Sequence, residues 1–533
     1  MHKRALFGVS TTWIRLLVIT LIGILLTPLL FRHLQAEVLG VWYLFFTIAT
    51  LINLSDLGIP IAFGRAVSYI WGGRTTSAGR ALPAEAAFYR AIPVAELYGS
   101  ALFASFLMAL SVVVIAFPFL HVYLKHIVSA SADQAGIIGA LLLFLAGVVL
   151  NLIAAVPFAC ISGFGDVGVD NIARIVLQVL GLIATVILLP LFPDIRTLSA
   201  IYLLQGAVTL CVGHYLLNRR YGIPLFLSCG INKTLLGKLL SEALPVFVTR
   251  IGLWMIIESN LLIAGYFLNA ASIPDYAILR QLVMTGMSIP NAIPITLAPY
   301  ASAAHAGGDA ERVRYLYLTA IRYSLVITVV WVVGLLLWTP QVLDLWVGPG
   351  HFLGYQVLVP VVVNCFFELH SSAHGFFTWS VGKWPFAPLM IVAGILNVAL
   401  ASVGCRFFSF PGLAWGTLLS QATTGYWYGV YYTLRLLNVA VRDYLRDIML
   451  PIMTYLAVLL LAAGSLRLFG MPYPVPAGHV APSFSSLFLS TATGIVITLL
   501  SATLLAWTIA LREQDRAQLL ALLRNSLHRG TPA

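Results

Sequence analysis

Two arginines sit where a charge is expensive. Arg15 stands in "GVSTTWIRLLVITLIGILL" and Arg250 in "PVFVTRIGLWMII", both apolar runs. An ionised side chain in such a run normally faces protein or water rather than lipid. A guanidinium adds a permanent charge and a planar fork of donors, the geometry that holds a phosphate or diphosphate. The plain structural alternative is that each head snorkels to an interface while its stem stays in hydrocarbon. Arg280 in "YAILRQLVM" and Arg322 beside Tyr323 carry the same two readings, and Arg65 follows a break containing Asp56, Gly58 and Pro60.

Acids and histidines form the second set. Glu258 lies two turns beyond Arg250, about 80° away in azimuth and roughly 12 Å along a helix axis. That is too far for a bond, so Glu258 needs a partner of its own or serves as a proton or sodium site. In "CFFELHSSAHGFF", His370 and His374 are four apart and share a helix face, with Glu368 nearly opposite His370. Two histidines fall short of the three or four ligands a metal normally needs, and the order departs from His-Glu-x-x-His. Packing or substrate hydrogen bonding is the first reading of the pair and proton coupling the second. No metal site and no cofactor is expected. Asp56 closes an apolar stretch and is placed to cap the helix that follows.

The elements that must position these groups are membrane spans. Of 533 residues, 60% are hydrophobic and only 9% charged, with mean hydropathy +0.96. A soluble chain carries about 25% charged residues, so this one lacks the polar surface to face water. Disorder and a disulfide scaffold are excluded, and no basic domain exists to hold nucleic acid with the net +11. Apolar stretches near 9–31, 38–57, 94–120, 136–160, 172–192, 197–217, 244–268, 276–299, 314–338, 355–379, 386–405, 411–434, 448–469 and 485–511 predict fourteen helices. The ten-residue alternation of a β-barrel is absent. With both termini in the cytoplasm, inner connections hold 21 of the 30 Lys+Arg and outer ones 5. The remaining four are Arg15, Arg250, Arg280 and Arg322. The first span reads as a retained helix rather than a signal peptide. The five cysteines lack the spacing of a bridge or metal site, and the Asn-x-Ser/Thr matches at Asn53 and Asn232 fall near the inner face.

The chain also compares with itself at an offset of 234: "LLFRHLQAEVLGVWYLF" (29–45) matches "IAGYFLNAASIPDYAIL" (263–279), and Ile59–Pro60 falls on Ile293–Pro294. Arg15 falls within one residue of Arg250 in the same register. Six helices fit that offset, so the copies enter from the same side, a parallel repeat. The expected divisions are an N-terminal lobe at 1–217, a cytoplasmic connection at 218–243, a C-terminal lobe at 244–434, and 435–533 for spans 13 and 14 with a cytoplasmic tail. Two lobes around a cavity suit alternating access. Arg15 and Arg250 would then line the cavity from both sides, with Arg65 at its inner end.

No enzyme is expected. There is no P-loop, no nucleophile–histidine–acid order in a soluble segment, and no connection long enough for a catalytic domain. The segments "LGVWYLFFTIATLINLSDLGIPIAFGRAVS" (39–68), "VLDLWVGPG" (342–350) and "ILNVALASVGCRFFSFPGLAWGTLLSQ" (395–421) resemble bacterial polysaccharide-biosynthesis export proteins. These are the Wzx-type flippases of the multidrug/oligosaccharidyl-lipid/polysaccharide exporter superfamily. The resemblance implies two six-helix lobes plus two helices in the bacterial inner membrane. It implies an undecaprenyl-type lipid-linked glycan as cargo, with glycan polymerases or glycosyltransferases as partners and a proton or sodium ion as coupling ion. By the same analogy Arg15, Arg250 and Arg280 are the positions most like the basic set that holds the diphosphate. A cation-coupled multidrug antiporter and a non-transporting assembly subunit are the competing expectations. The 71–93 connection reads as a flexible insertion or a docking segment.

Overall fold

The computed structural model describes residues 2–54, 93–128, 133–223, 247–381, 386–470 and 484–511, with single positions between 60 and 70, at 237, and between 513 and 517. The regular elements among them are helical, as the backbone demands where no water can serve its N–H and C=O groups. In chain order they are α1 (His2–His33), α2 (Ala36–Leu54), α3 (Val94–Ile127), α4 (Gln134–Gly163), α5 (Val167–Leu191) and α6 (Ile195–Tyr221). A bent pair, Phe247–Ile257 and Ser259–Phe267, makes α7. Then come α8 (Ile273–Ala306), α9 (Ala310–Trp346), α10 (Tyr355–Ser380), α11 (Ala387–Thr423) and α12 (Gly425–Leu436). The last two are α13 (Val441–Tyr444, a π turn Leu445–Met449, then Leu450–Gly470) and α14 (Phe484–Leu505, with a π turn Ala506–Ala510).

Local chemistry fixes many of the ends. The side chains of Asp133, Asp194, Asn269 and Asp309 accept backbone N–H groups at the starts of α4, α6, the turn before α8 and α9. Gly222 closes α6 in the left-handed conformation. Twelve helices among the described residues are long and apolar enough to cross a membrane, or thirteen with bent α7 counted as one span. One such stretch, Pro388–Leu436, runs 49 residues. Straight, it would measure about 74 Å against a hydrocarbon core of roughly 30 Å. It is not straight: Ser409, inside α11, has φ 55° and ψ −140°, so 387–408 and 410–423 are separate arms.

The chain divides into two compact units. One comprises Met1–Ala277 with Met390–Ser409, the other Ile278–Leu389 with Phe410–Ala533. In the first, small residues let helices approach closely. A Cβ on Gly147 would lie 3.0 Å from the Leu203 backbone, and one on Gly206 would lie 2.9 Å from the Gly147 carbonyl. Aromatic packing fills the space beside them, with Phe144 stacked on Tyr202 at 4.6 Å and met edge-on by Trp42 at 5.6 Å. Gly40 of α2 abuts the turn before α8 so tightly that a Cβ would fall 1.8 Å from the Ala270 carbonyl oxygen. In the second unit α9 is the central helix, with 61% of its apolar window buried. Gly286 and Gly494 make room for Trp331 and Trp338, and the Trp338 indole donates to Thr498 Oγ1 at 3.2 Å.

Candidate functional site: in-span cations, a broken helix and a histidine cluster

Arg15 is held by a neutral side chain. α1 packs along α5 where Gly8 and Gly168 leave room, and their Cβ atoms would meet Val167 at 3.3 Å and Phe7 at 2.3 Å. This brings Asn171 under Arg15, whose Nη1 donates to Asn171 Oδ1 at 3.3 Å. The amide is itself fixed, donating to Thr12 Oγ1 at 2.9 Å and Thr11 Oγ1 at 3.2 Å. The nearby carboxylate goes to another cation. Asp170 takes Arg174 Nε at 2.6 Å and Ser162 Oγ at 2.8 Å, and the Arg174 guanidinium lies 4.4 Å from the centre of the Phe158 ring. Arg15 Nε is buried without a hydrogen bond. The result is a guanidinium in an apolar run whose hydrogen bond goes to an amide, while the neighbouring Asp170 carboxylate bonds Arg174 and Ser162.

Glu258 marks a discontinuity. It stands between the two arms of α7, which meet at a 42° bend. Bending a helix frees carbonyls, and a neighbour must serve them. Asn397, on the 387–408 arm of α11, does so. Its Nδ2 lies 2.9 Å from the Met255 carbonyl, 3.3 Å from that of Ile256, 3.3 Å from Asn260 Oδ1 and 3.5 Å from Ser259 Oγ. Close approach is secured by glycine on both helices. A Cβ on Gly252 would lie 2.5 Å from the Met390 carbonyl, and one on Gly394 would lie 2.8 Å from Met255 Cβ. Trp254 Nε1 pins the first arm to Thr50 at 3.0 Å, and Tyr123 pins the second at the Leu262 carbonyl, 2.7 Å away. An acid beside unwound carbonyls is the kind of place where broken helices of transporters coordinate cations. Arg250 sits half-buried on the first arm, as Arg280 does on α8.

In the second unit the histidines meet as their spacing predicts. His370 and His374 are buried, with their Nε2 atoms 3.1 Å apart. Tyr444, at the start of α13, places its hydroxyl 2.5 Å from His370 Nε2 and 3.1 Å from His374 Nε2. Tyr317 of α9 reaches the far side of the pair, its hydroxyl 2.8 Å from His374 Nδ1. Glu368 is half-buried, and no hydrogen bond joins it to this cluster. No group of three His, Cys, Asp or Glu side chains among the described residues is placed to hold a metal.

Arg322 has a different fate from Arg15. Its Nη1 makes a 2.6 Å ion pair with Asp515, beyond the end of α14, and both residues are 5% exposed. This guanidinium ties α9 to the segment after α14. Asp56 and Arg65 lie outside the described residues. Sequence reasoning missed the partners Asn171, Tyr444, Tyr317 and Asp515. Only Asp515, one of two acids in a tail with four arginines, carried a signal.

Comparisons with known proteins place the fold. No family model matches the chain, and no curated protein matches it. Solved structures do. The chain is similar to a lipid II flippase, MurJ, in an inward closed conformation, with 12% identity, 95% of this chain and 99% of that one covered, and a TM-score of 0.66. It is similar to a multidrug resistance MATE family transporter of the MOP superfamily, inward-facing, at 15% identity, with 82% of this chain and all of that one covered and a TM-score of 0.65. The outward-facing form of a MATE family transporter matches with a TM-score of 0.54 at 16% identity over 81% of this chain. The fold is thus the one these solved structures share, an all-α multi-pass membrane architecture.

Proposed function

We propose that this chain flips a lipid-linked oligosaccharide or polysaccharide precursor across the bacterial cytoplasmic membrane by alternating access. The observation that carries the reading is Arg15: an in-span guanidinium fastened to Asn171 rather than to an acid. A diphosphate would supply the missing anion through charge-assisted, forked hydrogen bonds. Arg250 and Arg280 complete the proposed basic set. The proposed architecture is fourteen spans with both termini inside, as lobes 1–217 and 244–434 joined by 218–243 and followed by 435–533. It counts bent α7 as one span and the two arms of α11 as belonging to successive spans. The similarity to a lipid II flippase over 95% of the chain supports a lipid-linked cargo.

The experiment is glycan export in a deletion strain complemented with Arg15→Ala or Arg250→Ala. Export falls at least tenfold at normal protein level, and the lipid-linked intermediate accumulates. Normal export by both variants would sink the reading.

A second reading has its own observation. Glu258 at the α7 break, in a fold shared with multidrug resistance MATE transporters, supports a cation-coupled antiporter. Glu258→Gln removes the charge and keeps the shape. Antiport predicts loss of gradient-driven drug efflux in vesicles, whereas flipping of a glycan lipid leaves such efflux absent from wild type as well.

A further inference from the structure

His370 Nε2, His374 Nε2 and the Tyr444 hydroxyl form a triangle with edges of 3.1, 2.5 and 3.1 Å. Hydrogen bonding uses only two of its edges, with Tyr444 O–H donating to His370 Nε2 and His374 Nε2–H to the Tyr444 oxygen. Each edge needs a proton directed along it, and two Nε2–H groups facing each other at 3.1 Å repel, so at least one edge carries none. Three convergent lone pairs are instead what a cation uses. A point about 2.1 Å from all three atoms, the usual zinc–nitrogen and zinc–oxygen distance, stands about 1.2 Å out of their plane.

We propose that His370, His374 and Tyr444 bind one divalent transition-metal ion of the zinc class. The surroundings meet the further requirements of such a site. The histidines, at i and i+4, present the same ring nitrogen from one helix face. Tyr317 sits 2.8 Å from His374 Nδ1, ready to accept its N–H and so fix the tautomer that leaves Nε2 free to ligate. Tyr444 immediately precedes a π turn, Leu445–Met449, an irregularity that re-aims side chains and recurs at functional sites. His370 and Tyr444 also face a groove of about 420 Å³ walled by Phe367, Tyr426, Trp427 and Tyr431. The groove gives the ion a route and a place for a fourth, non-protein ligand. Binding breaks the Tyr444 O–H bond, gives the oxygen lone pair to the metal and releases one proton to solvent, with no change of oxidation state. Affinity therefore rises with pH. The ion would tie α10 to the start of α13, independently of what the transporter carries.

The test uses the full-length chain in detergent, with its purification tag removed and metals stripped by chelator. Wild type is incubated with Zn²⁺ alone, passed through gel filtration and analysed for metal; Co²⁺ is a second probe read by its visible absorption. The expected result is one ion per chain, one proton released, and binding at least a hundredfold weaker in Tyr444→Phe and His374→Gln. Tyr317→Phe keeps the stoichiometry and weakens binding about 10- to 100-fold. Tyr444→Phe keeps the ring in place, so its gel-filtration profile separates loss of a ligand from loss of the fold. No stoichiometric uptake by wild type, or uptake unchanged in Tyr444→Phe and His374→Gln, overturns the site.

Discussion

Arg15 and Arg322 are the same residue type in comparable apolar runs, and their environments send them opposite ways. Arg322 is half of a buried ion pair with Asp515, so Arg322→Met strands a carboxylate and should cost about 3–5 kcal/mol. Arg322→Met with Asp515→Leu should recover most of that loss, because an apolar pair replaces a desolvated one. Thermal unfolding in detergent measures both, and a double variant no more stable than the single would remove the pair from the account. Arg15→Ala, by contrast, deletes one long bond to a neutral amide and should change stability by less than about 1 kcal/mol. It should leave a folded protein without export. That contrast, a stable dead variant against an unstable one, separates cargo binding from scaffolding. The sequence flagged both arginines but could not sort them. Their partners lie 156 and 193 positions away, and only the fold brings them in.

Elements were easier to read than their breaks. Length and apolarity foretold the helices and even the turn between the arms of α11, where Ser409 takes the left-handed backbone. The bend in α7 was not legible. "LWMIIESNLLIAG" contains no proline, and the break depends on Asn397, 142 positions from the Met255 carbonyl it serves. Asn397→Leu keeps the volume and removes a donor from the Ile256 carbonyl, while Met255 keeps Ser259 Oγ at 2.6 Å, so the cost should be about 1 kcal/mol. A drop in melting temperature smaller than that of a surface substitution would show the bend to be held by something else. Gly40 gives a sharper element-scale prediction. With 1.8 Å between a hypothetical Cβ and the Ala270 oxygen, Gly40→Ala cannot be absorbed without moving α2 or the turn before α8. Its folded yield should fall well below that of Gly139→Ala, where nothing lies within 4 Å.

At the scale of the molecule, the charge pattern predicts sidedness. In a cysteine-free background, a single cysteine at Ala36, at the start of α2 and expected outside, should react with a membrane-impermeant maleimide in intact cells. One at Ala440 should react only after the membrane is opened. Reversal of either would redraw the topology. Coupling is a molecular property as well. If Glu258 answers to an ion, collapsing the proton or sodium gradient in vesicles should stop translocation, and Glu258→Gln should mimic the collapse. Full transport without either gradient would exclude it. The resemblance read from motifs and the similarity to solved structures point to the same fold.

α1 is the least buried of the long apolar helices among the described residues. Only 11% of its apolar window is buried, and Trp13, Ile14, Leu16, Leu17 and Leu25 are each more than half exposed. Most of this helix therefore meets little of the described protein. Selection on it should be lax in identity and strict in character. Aliphatic exchange at Leu16, Leu17 or Leu25 should pass without effect in a saturation library, while Gly8, with Val167 3.3 Å from its would-be Cβ, should reject large side chains and Arg15 most replacements, so the first helix would drift around a few fixed points.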